Sequence, residues 1–266
     1  MDRCKERTIC RWDGHRMTSI SDRLVAEEPL SIQVEGKPYV VVMRTPGEEI
    51  AHAAGLCLSE GIIDAPQDVG TLAFCDGADT NVVAVTLSEA RRKAFPQIMD
   101  RQLFLSRTSC GICGKEVVED FFQWIEPLSD DVVIEARRVE KLVSDLPLLQ
   151  PLRRRTRSTH AAALHTMQGD VLSAAEDVGR HNALDKTIGK LFLEHRLHQA
   201  DILVLSSRIS YELVQKAARA KISLIVAVSR PTSLAVDLAD KLNMTLACLS
   251  KRSGLDIFCG KERLTT

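Results

Sequence analysis

The aliphatic run Ile202-Leu203-Val204-Leu205-Ser206 has the length and composition of a buried β-strand. Two more runs of this kind follow along the chain, ISLIVAV at residues 222–228 and MTLACL at residues 244–249. Helical stretches are expected between them, around residues 211–220 and 234–242. Strands that alternate with helices of this length predict a layered α/β sheet with parallel connections.

A hairpin and a helix are predicted immediately upstream of these strands. Residues 161–165 and 171–175 flank Gln168-Gly169-Asp170 as the strands of the hairpin, and residues 182–193 have the pattern of a helix. Loops rich in hydroxyls and cations follow the three aliphatic strands, at residues 206–208, 229–233 and 250–254. Because ligands of such sheets bind at the carboxyl ends of the strands, these loops predict a site for phosphate or another anion.

The first half of the chain has the pattern of a small α+β unit. The β-branched run over residues 30–43 is interrupted at Glu35-Gly36-Lys37-Pro38 and predicts a hairpin. Thr45-Pro46-Gly47-Glu48 then predicts a helix start, with Thr45 as N-cap and Glu48 closing a capping box, and Gly61 is placed to end the helix. Two short strands are expected next, at residues 71–75 and 82–87.

Length and composition are typical of a soluble globular protein. The 266 residues, 45% of them hydrophobic and 27% charged, allow two modest domains. We expect an N-terminal α+β domain over residues 1–125, a helical and basic linker over residues 126–157, and an α/β domain over residues 158–266. The net charge of −1 argues against a nucleic acid or an acidic membrane as partner. The charged N-terminus lacks a signal peptide's apolar segment, and no aliphatic run approaches the roughly 18 residues of a membrane helix, so the predicted location is the cytoplasm.

The strongest indication of catalytic chemistry in the sequence is a single Cys-x-x-Cys pair, Cys110-Gly111-Ile112-Cys113. Lys115 and the start of a helix predicted over residues 115–124 would lower the pKa of a nearby thiol, and the thiolate is the nucleophilic form. Half of a structural zinc site is one alternative, because His160 and His165 could complete four ligands. A buried, inert pair and the redox-active pair of a thiol-disulfide oxidoreductase are the others.

Polar residues crowd the entrance of the helix predicted over residues 182–193, in the run Glu176-Asp177-Val178-Gly179-Arg180-His181-Asn182-Ala183-Leu184-Asp185-Lys186. Some are expected to be structural, with Asp177 capping the helix and Asp185 or Lys186 pairing along it. An Arg-His-Asn triplet at a helix N-terminus is also suited to bind an anion. For His160, taken alone, the favoured interpretation is a half-buried structural histidine.

Together these stretches resemble the formate dehydrogenase accessory sulfurtransferase family, often called FdhD. The matching pieces occur in order at residues 44–47, 61–63, 109–114, 160–162, 176–186, 206–208 and 229–232. The resemblance implies a cytidine-deaminase-like layered sheet in the C-terminal half, a smaller N-terminal α+β domain, and a homodimer. No His-x-Glu occurs in the chain, which argues against deaminase activity itself.

The resemblance also implies a function. Members of this family take sulfane sulfur from a cysteine desulfurase as a cysteine persulfide and deliver it to the molybdenum (or tungsten) bis-guanine dinucleotide cofactor of formate dehydrogenase. By this resemblance Cys110 carries the persulfide, Cys113 assists it, the molybdenum cofactor is a bound substrate, and the formate dehydrogenase catalytic subunit is a partner. No permanent cofactor and no metal ligand is expected. A non-enzymatic chaperone for the cofactor or its guanine nucleotide part stays open as an alternative.

Two sets of residues are expected to bind the molybdenum cofactor. The resemblance assigns Leu249, Ser250, Lys251, Arg252, Ser253 and Gly254. Phosphates and guanine edges need cations and rigid donors, so chemistry and loop position add Arg180, His181, Asn182, Arg208, Arg230 and Thr232. The tract Arg153-Arg154-Arg155-Thr156-Arg157 is expected to be a solvated loop, with holding phosphates or docking a partner as alternatives.

Overall fold

The computed structural model describes residues 2–76, 79–96, 125–129 and 133–266. Its largest sheet has six strands and contains the three aliphatic runs. In spatial order, with numbers that follow the chain, these strands are β13 (Leu255–Cys259), β12 (Thr245–Leu249), β11 (Leu224–Ala227), β10 (Ile202–Leu205), β8 (His160–His165) and β9 (Val171–Asp177). Strands β10, β11 and β12 are parallel, and β8, β9 and β13 complete the sheet through antiparallel pairings.

Helices cover both faces of this sheet. On one face lie α4 (Arg180–Leu193), α5 (Tyr211–Arg219) and α6 (Ser233–Lys241), and on the other lies α2 (Ala136–Asp145), followed by the short α3 (Pro151–Thr156). Because side chains alternate along a strand, Leu203 and Ile225 pack towards α4–α6 while Val204 and Val226 pack towards α2. The predicted alternation of strands and helices is confirmed, and with it the α/β fold class.

The N-terminal half forms a second sheet, whose four strands are β4 (Lys37–Arg44), β3 (Glu28–Val34), β6 (Asp79–Leu87) and β5 (Val69–Asp76) in spatial order. The predicted hairpin joins β3 to β4 through Glu35 and Gly36, which both have positive φ, as in the two-residue turns that suit a twisted hairpin. Helix α1 (Glu49–Ser59) follows β4, and residues 89–96 are helical. One hydrophobic core runs from Leu30 of β3 to Leu203 of β10.

Helices α1 and α4 cross at two glycines. A Cβ at Gly55 would lie 1.9 Å from the carbonyl oxygen of Asp185, and a Cβ at Gly189 would lie 1.8 Å from that of Ala51. Backbones this close leave no room for a side chain, so only glycine fits at both positions. The crossing brings the N-terminal sheet onto the helices of the six-stranded sheet.

The start of α1 differs from the prediction. The helix begins at Glu49, and its N-cap is Glu48, which has a left-handed φ of 67° and makes no side-chain cap. Thr45 does not cap the helix either, because its hydroxyl accepts the N–H of Val178. A tertiary hydrogen bond to the segment after β9 therefore replaces the local capping box. Gly61, with φ 72°, follows the last turn as predicted.

A two-stranded ribbon at the N-terminus was not predicted. Strands β1 (Cys4–Trp12) and β2 (Met17–Val25) are mostly polar and exposed, so they lack the apolar alternation that identifies a strand from sequence. Trp12 and Met17 face each other at its tip and are 58% and 71% exposed. At the other end of the chain, β14 (Leu264–Thr265) pairs with β7 (Ile134–Glu135).

Two further expectations concern the whole chain. Among the described residues, no helix is both long and apolar enough to cross a membrane. The specific likeness to cytidine deaminases and the boundaries at residues 125 and 157 stay predictions.

Candidate functional site

The loops that were predicted to bind an anion meet at one edge of the six-stranded sheet. Strands β10, β11 and β12 are parallel, so the loops that follow them leave the sheet at the same side. The antiparallel β8 begins at this edge, where the N–H of Ala161 donates to Ser206 Oγ at 2.8 Å. Strand β9 ends there, with Asp177 opposite His160. We call this side of the sheet the carboxyl edge.

Two histidines and a carboxylate lie together at the carboxyl edge. His160 begins β8, His181 lies in the first turn of α4, and Glu212 lies in the first turn of α5, with its Oε2 3.8 Å from His181 Nε2. Burial lowers the pKa of His160, and the charges of Arg153 and Arg180 lower it further. Burial lowers the pKa of His181 to about 4, helped by Arg180 and opposed by Glu212. Both imidazoles are therefore neutral at pH 7.

Glu176 holds helix α3 against the end of β9. Its carboxylate accepts the N–H groups of Leu152 and Arg153, each at 2.7 Å, and the hydroxyl of Thr159 at 2.9 Å. The guanidinium of Arg153 in turn donates to the carbonyl of Thr159 at 2.7 Å. The basic tract is thus helical up to Thr156 rather than the predicted loop, and Arg153 is near enough to His160 for its charge to lower the pKa of that histidine. All four arginines of the tract, at residues 153, 154, 155 and 157, are exposed.

Asp177 does not cap α4 as predicted but connects several elements. The N-cap of α4 is Gly179, and no side chain caps it. Asp177 Oδ2 accepts the N–H of Thr45 at 3.0 Å, and Asp177 Oδ1 accepts Nδ2 of Asn182 at 2.9 Å. Asn182 Nδ2 also donates to the carbonyl of Met43 at 2.8 Å, so this buried amide joins β4 to α4. The cofactor contact predicted for Asn182 stays a prediction.

Asp185 and Lys186 pair with residues of other elements rather than along α4, so the predicted pairing along the helix is wrong. Nζ of Lys216 in α5 donates to both carboxylate oxygens of Asp185, at 2.8 and 2.9 Å, and the hydroxyl of Ser59 in α1 donates to Oδ1 at 2.9 Å. Nζ of Lys186 lies 2.7 Å from Oδ2 of Asp177. Because α4 is buried between α1 and the sheet, its charged side chains find partners only on neighbouring elements.

The loop after β11 contributes a cation and a helix cap. Thr232 is the N-cap of α6, and its hydroxyl accepts the N–H of Ala235 at 3.3 Å. The guanidinium carbon of Arg230 lies 5.3 Å from the centroid of the Phe258 ring, which is within the range of a cation–π contact. Arg208, in the loop after β10, is exposed.

The segment predicted to bind the cofactor, residues 249–254, forms a turn between β12 and β13. The N–H of Ser250 donates to the carbonyl of Gly254 at 2.9 Å and closes the turn. Lys251, Arg252 and Ser253 are exposed at its tip, so two cations project from the carboxyl edge here.

Cys110, Cys113 and the helix predicted over residues 115–124 lie outside the described residues, so their roles stay predictions. Burial raises the pKa of the Cys57 thiol to about 12 and that of Cys259 to about 11, so both are protonated at neutral pH.

The histidines of the zinc alternative cannot serve one ion together. His160 and His165 begin and end the six-residue strand β8, which separates them by about 16 Å at the usual rise per residue. In the part of the chain that the structure describes, no group of three His, Cys, Asp or Glu side chains could hold a metal ion.

The sequence matches the model of the FdhD/NarQ family over residues 25–265. The chain belongs to the FdhD/NarQ family. It is 37% identical to the sulfur carrier protein FdhD of Streptomyces coelicolor, over 98% of this chain and 95% of that protein. It is 38% identical to the sulfur carrier protein FdhD of Mycolicibacterium paratuberculosis, over 91% of this chain and 92% of that protein. A crystal structure of a candidate formate dehydrogenase accessory protein from Desulfotalea psychrophila has the same fold, with a TM-score of 0.78 at 20% identity over 99% of this chain and 100% of that chain.

The resemblance inferred from the motifs is thus confirmed for the family. The FdhD/NarQ match begins at residue 25, so the ribbon of β1 and β2 lies before it except for its last residue.

Three residues that contact or neighbour the predicted site residues, Arg153, Glu212 and Phe258, were not predicted individually from the sequence. Arg153 stands out in the sequence only as part of the basic tract. The position of Glu212, four residues after Arg208 at the start of a predicted helix, was a usable signal, whereas the contact of Phe258 with Arg230 depends on strand pairing.

Proposed function

We propose that this protein is a sulfurtransferase of formate dehydrogenase maturation. Cys110 accepts persulfide sulfur from a cysteine desulfurase, and the sulfur is delivered to the molybdenum bis-guanine dinucleotide cofactor before or as that cofactor enters the formate dehydrogenase catalytic subunit. Relatives named sulfur carrier proteins, at 37% and 38% identity, support the sulfur chemistry.

The observation that carries the proposal is the cluster of cations at the carboxyl edge, in a chain that belongs to the FdhD/NarQ family. A dinucleotide cofactor presents phosphates and guanine edges, which need fixed cations and hydrogen-bond donors. The edge supplies cations from four separate segments: Arg180, Arg208, Arg230, and Lys251 with Arg252. These residues, together with His181, Asn182, Thr232 and the segment 249–254, are the cofactor contacts that we propose.

The Cys-x-x-Cys spacing suits release of the carried sulfur at the oxidation level that the cofactor needs. The Cys113 thiolate attacks the Cys110 sulfur of the persulfide, a Cys110–Cys113 disulfide forms, and hydrosulfide leaves with the electron pair of the broken S–S bond. The sulfane sulfur is reduced and the two cysteine sulfurs are oxidised, so the step is balanced. A cellular dithiol reductant then restores the pair for the next cycle.

Mass spectrometry of the intact protein and its peptides tests the sulfur step. The full chain is incubated with a cysteine desulfurase and cysteine, and wild type is compared with Cys110→Ala and Cys113→Ala. We expect one added sulfur on the Cys110 peptide, lost in Cys110→Ala and retained for longer in Cys113→Ala. Cys10→Ala is the matched control. Cys10 is an exposed cysteine of the N-terminal ribbon, and in the sequence it is distant from Cys110 and Cys113. An unmodified Cys110 peptide after incubation with several desulfurases would overturn the proposal.

A chaperone function without sulfur transfer is the second candidate, and the composition of the carboxyl edge favours it. The residues that we propose to contact the cofactor at the carboxyl edge include no cysteine, so cofactor binding does not itself need the Cys pair. If Cys110→Ala activates formate dehydrogenase as well as wild type does, the chaperone is the function. Catalytic reduction of a model disulfide without a desulfurase would instead indicate a thiol-disulfide oxidoreductase.

The proposal includes a homodimer and a cytoplasmic location. The exposed pair Trp12 and Met17 at the tip of the ribbon supports an interface with a second copy, because a two-stranded ribbon is marginally stable alone. Sedimentation of the full chain and of Trp12→Ser tests this part, and a wild-type monomer would contradict it.

A further inference from the structure

One face of the N-terminal ribbon is fully exposed at its outer end although it carries no charge. Three consecutive residue pairs share this face, because residues directly opposite each other in an antiparallel pair point to the same side. They are Thr8 with Ser21, Cys10 with Ser19, and Trp12 with Met17. All six side chains are uncharged and all six are exposed. We call them the uncharged ribbon face.

The charged side chains of these strands lie on the opposite face of the ribbon. Arg7 is paired with Asp22, and Nη2 of Arg11 lies 3.8 Å from Oδ2 of Asp22. Ile9 and Ile20 pair on the same face and are partly buried. Charged residues normally occupy the most exposed positions of a protein. An exposed face that lacks charge and ends in a tryptophan is instead typical of the core of an interface, where aromatic residues and methionine are enriched.

The outer face of the four-stranded N-terminal sheet is uncharged as well. Alternate residues of its strands, such as Leu30 and Val83, pack into the core, and the residues between them face outward. The middle of the four strands contains no charged residue in the ranges 29–33, 41–43, 71–73 and 82–86. On the edge strand β4, Val41 and Met43 are 63% and 50% exposed. We call this surface the outer sheet face.

The middle of the outer sheet face has small side chains. Ser31 lies between Val41 and Val82 in the register of the sheet, and Ala84 is paired with Ala73. Small side chains bordered by larger ones leave room for one large apolar side chain from another molecule. Aromatic anchors of this kind contribute much of the binding energy of protein interfaces.

We propose that the uncharged ribbon face of one copy covers the outer sheet face of a second copy, with Trp12 placed over Ser31 and Ala84, and that the second copy does the same in return. In the single chain Trp12 and Val41 both stay exposed, and this ribbon exchange covers both. A twofold axis makes the two contacts identical. The inference rests on the homodimer of the proposed function and on no part of the sulfur chemistry.

The ribbon has the length and the position that the exchange needs. Its strands have nine residues each and span about 30 Å. Strand β2 is followed after two residues by β3 of the sheet, so each ribbon leaves its own sheet directly. A two-stranded ribbon is about 10 Å wide, so one contact along it buries about 300 Å² on each side. Two such contacts bury about 1,200 Å² in all, which is the lower end for a stable complex.

Sedimentation of the full chain at several concentrations tests the exchange. Val41→Glu places a charge on the outer sheet face, and Trp12→Ser removes the anchor of the ribbon. Val171→Glu is the matched control, because Val171 is a 49% exposed valine on β9, an edge strand of the six-stranded sheet. Each damaged contact should weaken the dimer about tenfold, so each variant homodimer, which has two, should be about a hundredfold weaker. Val171→Glu should dimerise as wild type does.

An equal mixture of the two variants gives the sharpest result. In the mixed dimer, the intact ribbon of the Val41→Glu protein covers the intact sheet face of the Trp12→Ser protein. One contact is therefore undamaged, and the mixed dimer should be about tenfold stronger than either variant homodimer. A mixture that associates no better than either variant alone would overturn the exchange.

The other outcomes separate the exchange from the homodimer. If wild type is a dimer and Val41→Glu dimerises equally well, the exchange is wrong and the homodimer stands. If Trp12→Ser alone weakens the dimer, the two ribbon tips contact each other, which also overturns the exchange. A wild-type monomer at all concentrations would overturn the exchange together with the homodimer, whereas sulfur loading of Cys110 is judged separately by mass spectrometry.

Alkylation of Cys10 distinguishes an interface from a folding defect. Cys10 is exposed on the uncharged ribbon face, and Val41 belongs to a different sheet. In wild type, alkylation of the Cys10 peptide by a maleimide should slow as the protein concentration rises and the dimer forms. In Val41→Glu it should stay fast over the same concentrations. A rate in dimeric wild type that does not depend on concentration and equals that of Val41→Glu would show that the ribbon face stays uncovered and would overturn the exchange.

Discussion

Arg230 stacks on the ring of Phe258, with its guanidinium carbon 5.3 Å from the ring centroid. The two residues come from the loop after β11 and from the edge strand β13, so the contact forms only when the sheet is complete. A cation–π contact restricts the side chain of Arg230, which otherwise extends from an exposed loop. Phe258 thereby acts as a positioning residue for a cation of the carboxyl edge.

Replacement of Phe258 should weaken nucleotide binding through Arg230. An exposed cation–π contact contributes about 0.5–1 kcal/mol, so Phe258→Leu should lower GDP affinity about two- to fivefold, and Phe258→Tyr should retain it. Ile257→Ala controls for damage to β13, because Ile257 is a neighbouring exposed residue. Equal GDP affinities of Phe258→Leu and wild type by calorimetry would show that the ring does not position Arg230.

The α1–α4 crossing should be the part of the core least tolerant of substitution. Gly55→Ala forces a methyl group into the backbone of Asp185, and overpacking of this kind costs about 3 kcal/mol. Urea unfolding followed by circular dichroism measures the loss. In Gly14→Ala the new methyl group meets nothing within 4 Å, and the cost is only that of a positive φ, about 1–2 kcal/mol. Similar losses in both variants would mean that the helices separate easily.

The buried pair of Lys186 and Asp177 should matter more than a surface pair. Both side chains are fully buried and their charged atoms lie 2.7 Å apart. Lys186→Met leaves the Asp177 carboxylate buried without its partner, which costs about 3–5 kcal/mol of unfolding free energy. Arg196→Met removes an exposed pair with Glu194 and should cost less than about 1 kcal/mol. Chemical denaturation of both variants compares the two, and equal losses would contradict the expectation.

Acid should destabilise the protein partly through His181. Burial, together with Arg180, Lys216 and His160, lowers its pKa to about 4 in the folded protein, and Glu212 opposes this shift. The unfolded histidine has a pKa of about 6.5, so the unfolded state binds more protons between these values and stability falls as the pH drops from about 6.5 towards 4. Above pH 7 both states are neutral and the effect vanishes.

Urea midpoints at pH 7.5 and pH 5.0 measure this effect. The midpoint of His181→Leu should fall less than that of wild type over this range, while His198→Leu should follow wild type. The buried His52, whose pKa is also lowered by burial, is present in all three proteins and cancels in the comparison. Parallel decreases in wild type and His181→Leu would show that His181 does not contribute.

Some elements could be predicted because their signals are local. Strands β10, β11 and β12 are short aliphatic runs, and the turn at Glu35 and Gly36 has the residue types that such turns need. Other elements could not be predicted, because their residues serve distant partners. Thr45 looks like a helix cap but hydrogen-bonds Val178, and Asp177 looks like a helix cap but binds Thr45 and Asn182.

Some features of the candidate site could likewise be predicted from the sequence, and others could not. The cation-rich loops could be recognised because each directly follows a strand, and parallel strands place such loops at one edge. The contact of Phe258 with Arg230 and the hydrogen bond from Asn182 to the carbonyl of Met43 could not be recognised. They depend on how β13 pairs and on how deeply α4 is buried, and neither is encoded in a local pattern.

By itself, then, the sequence determined the alternation of strands and helices, the FdhD/NarQ family and the loops that carry cations, because these depend on residue order and short-range periodicity. Only the tertiary structure decided that Gly55 and Gly189 bring two helices into backbone contact, and that Asp177, Asp185 and Lys186 connect elements rather than cap or brace one helix. The physical reason is burial. A charged group or a backbone removed from water must find its partner wherever the fold places one, and that partner is usually far away in the sequence.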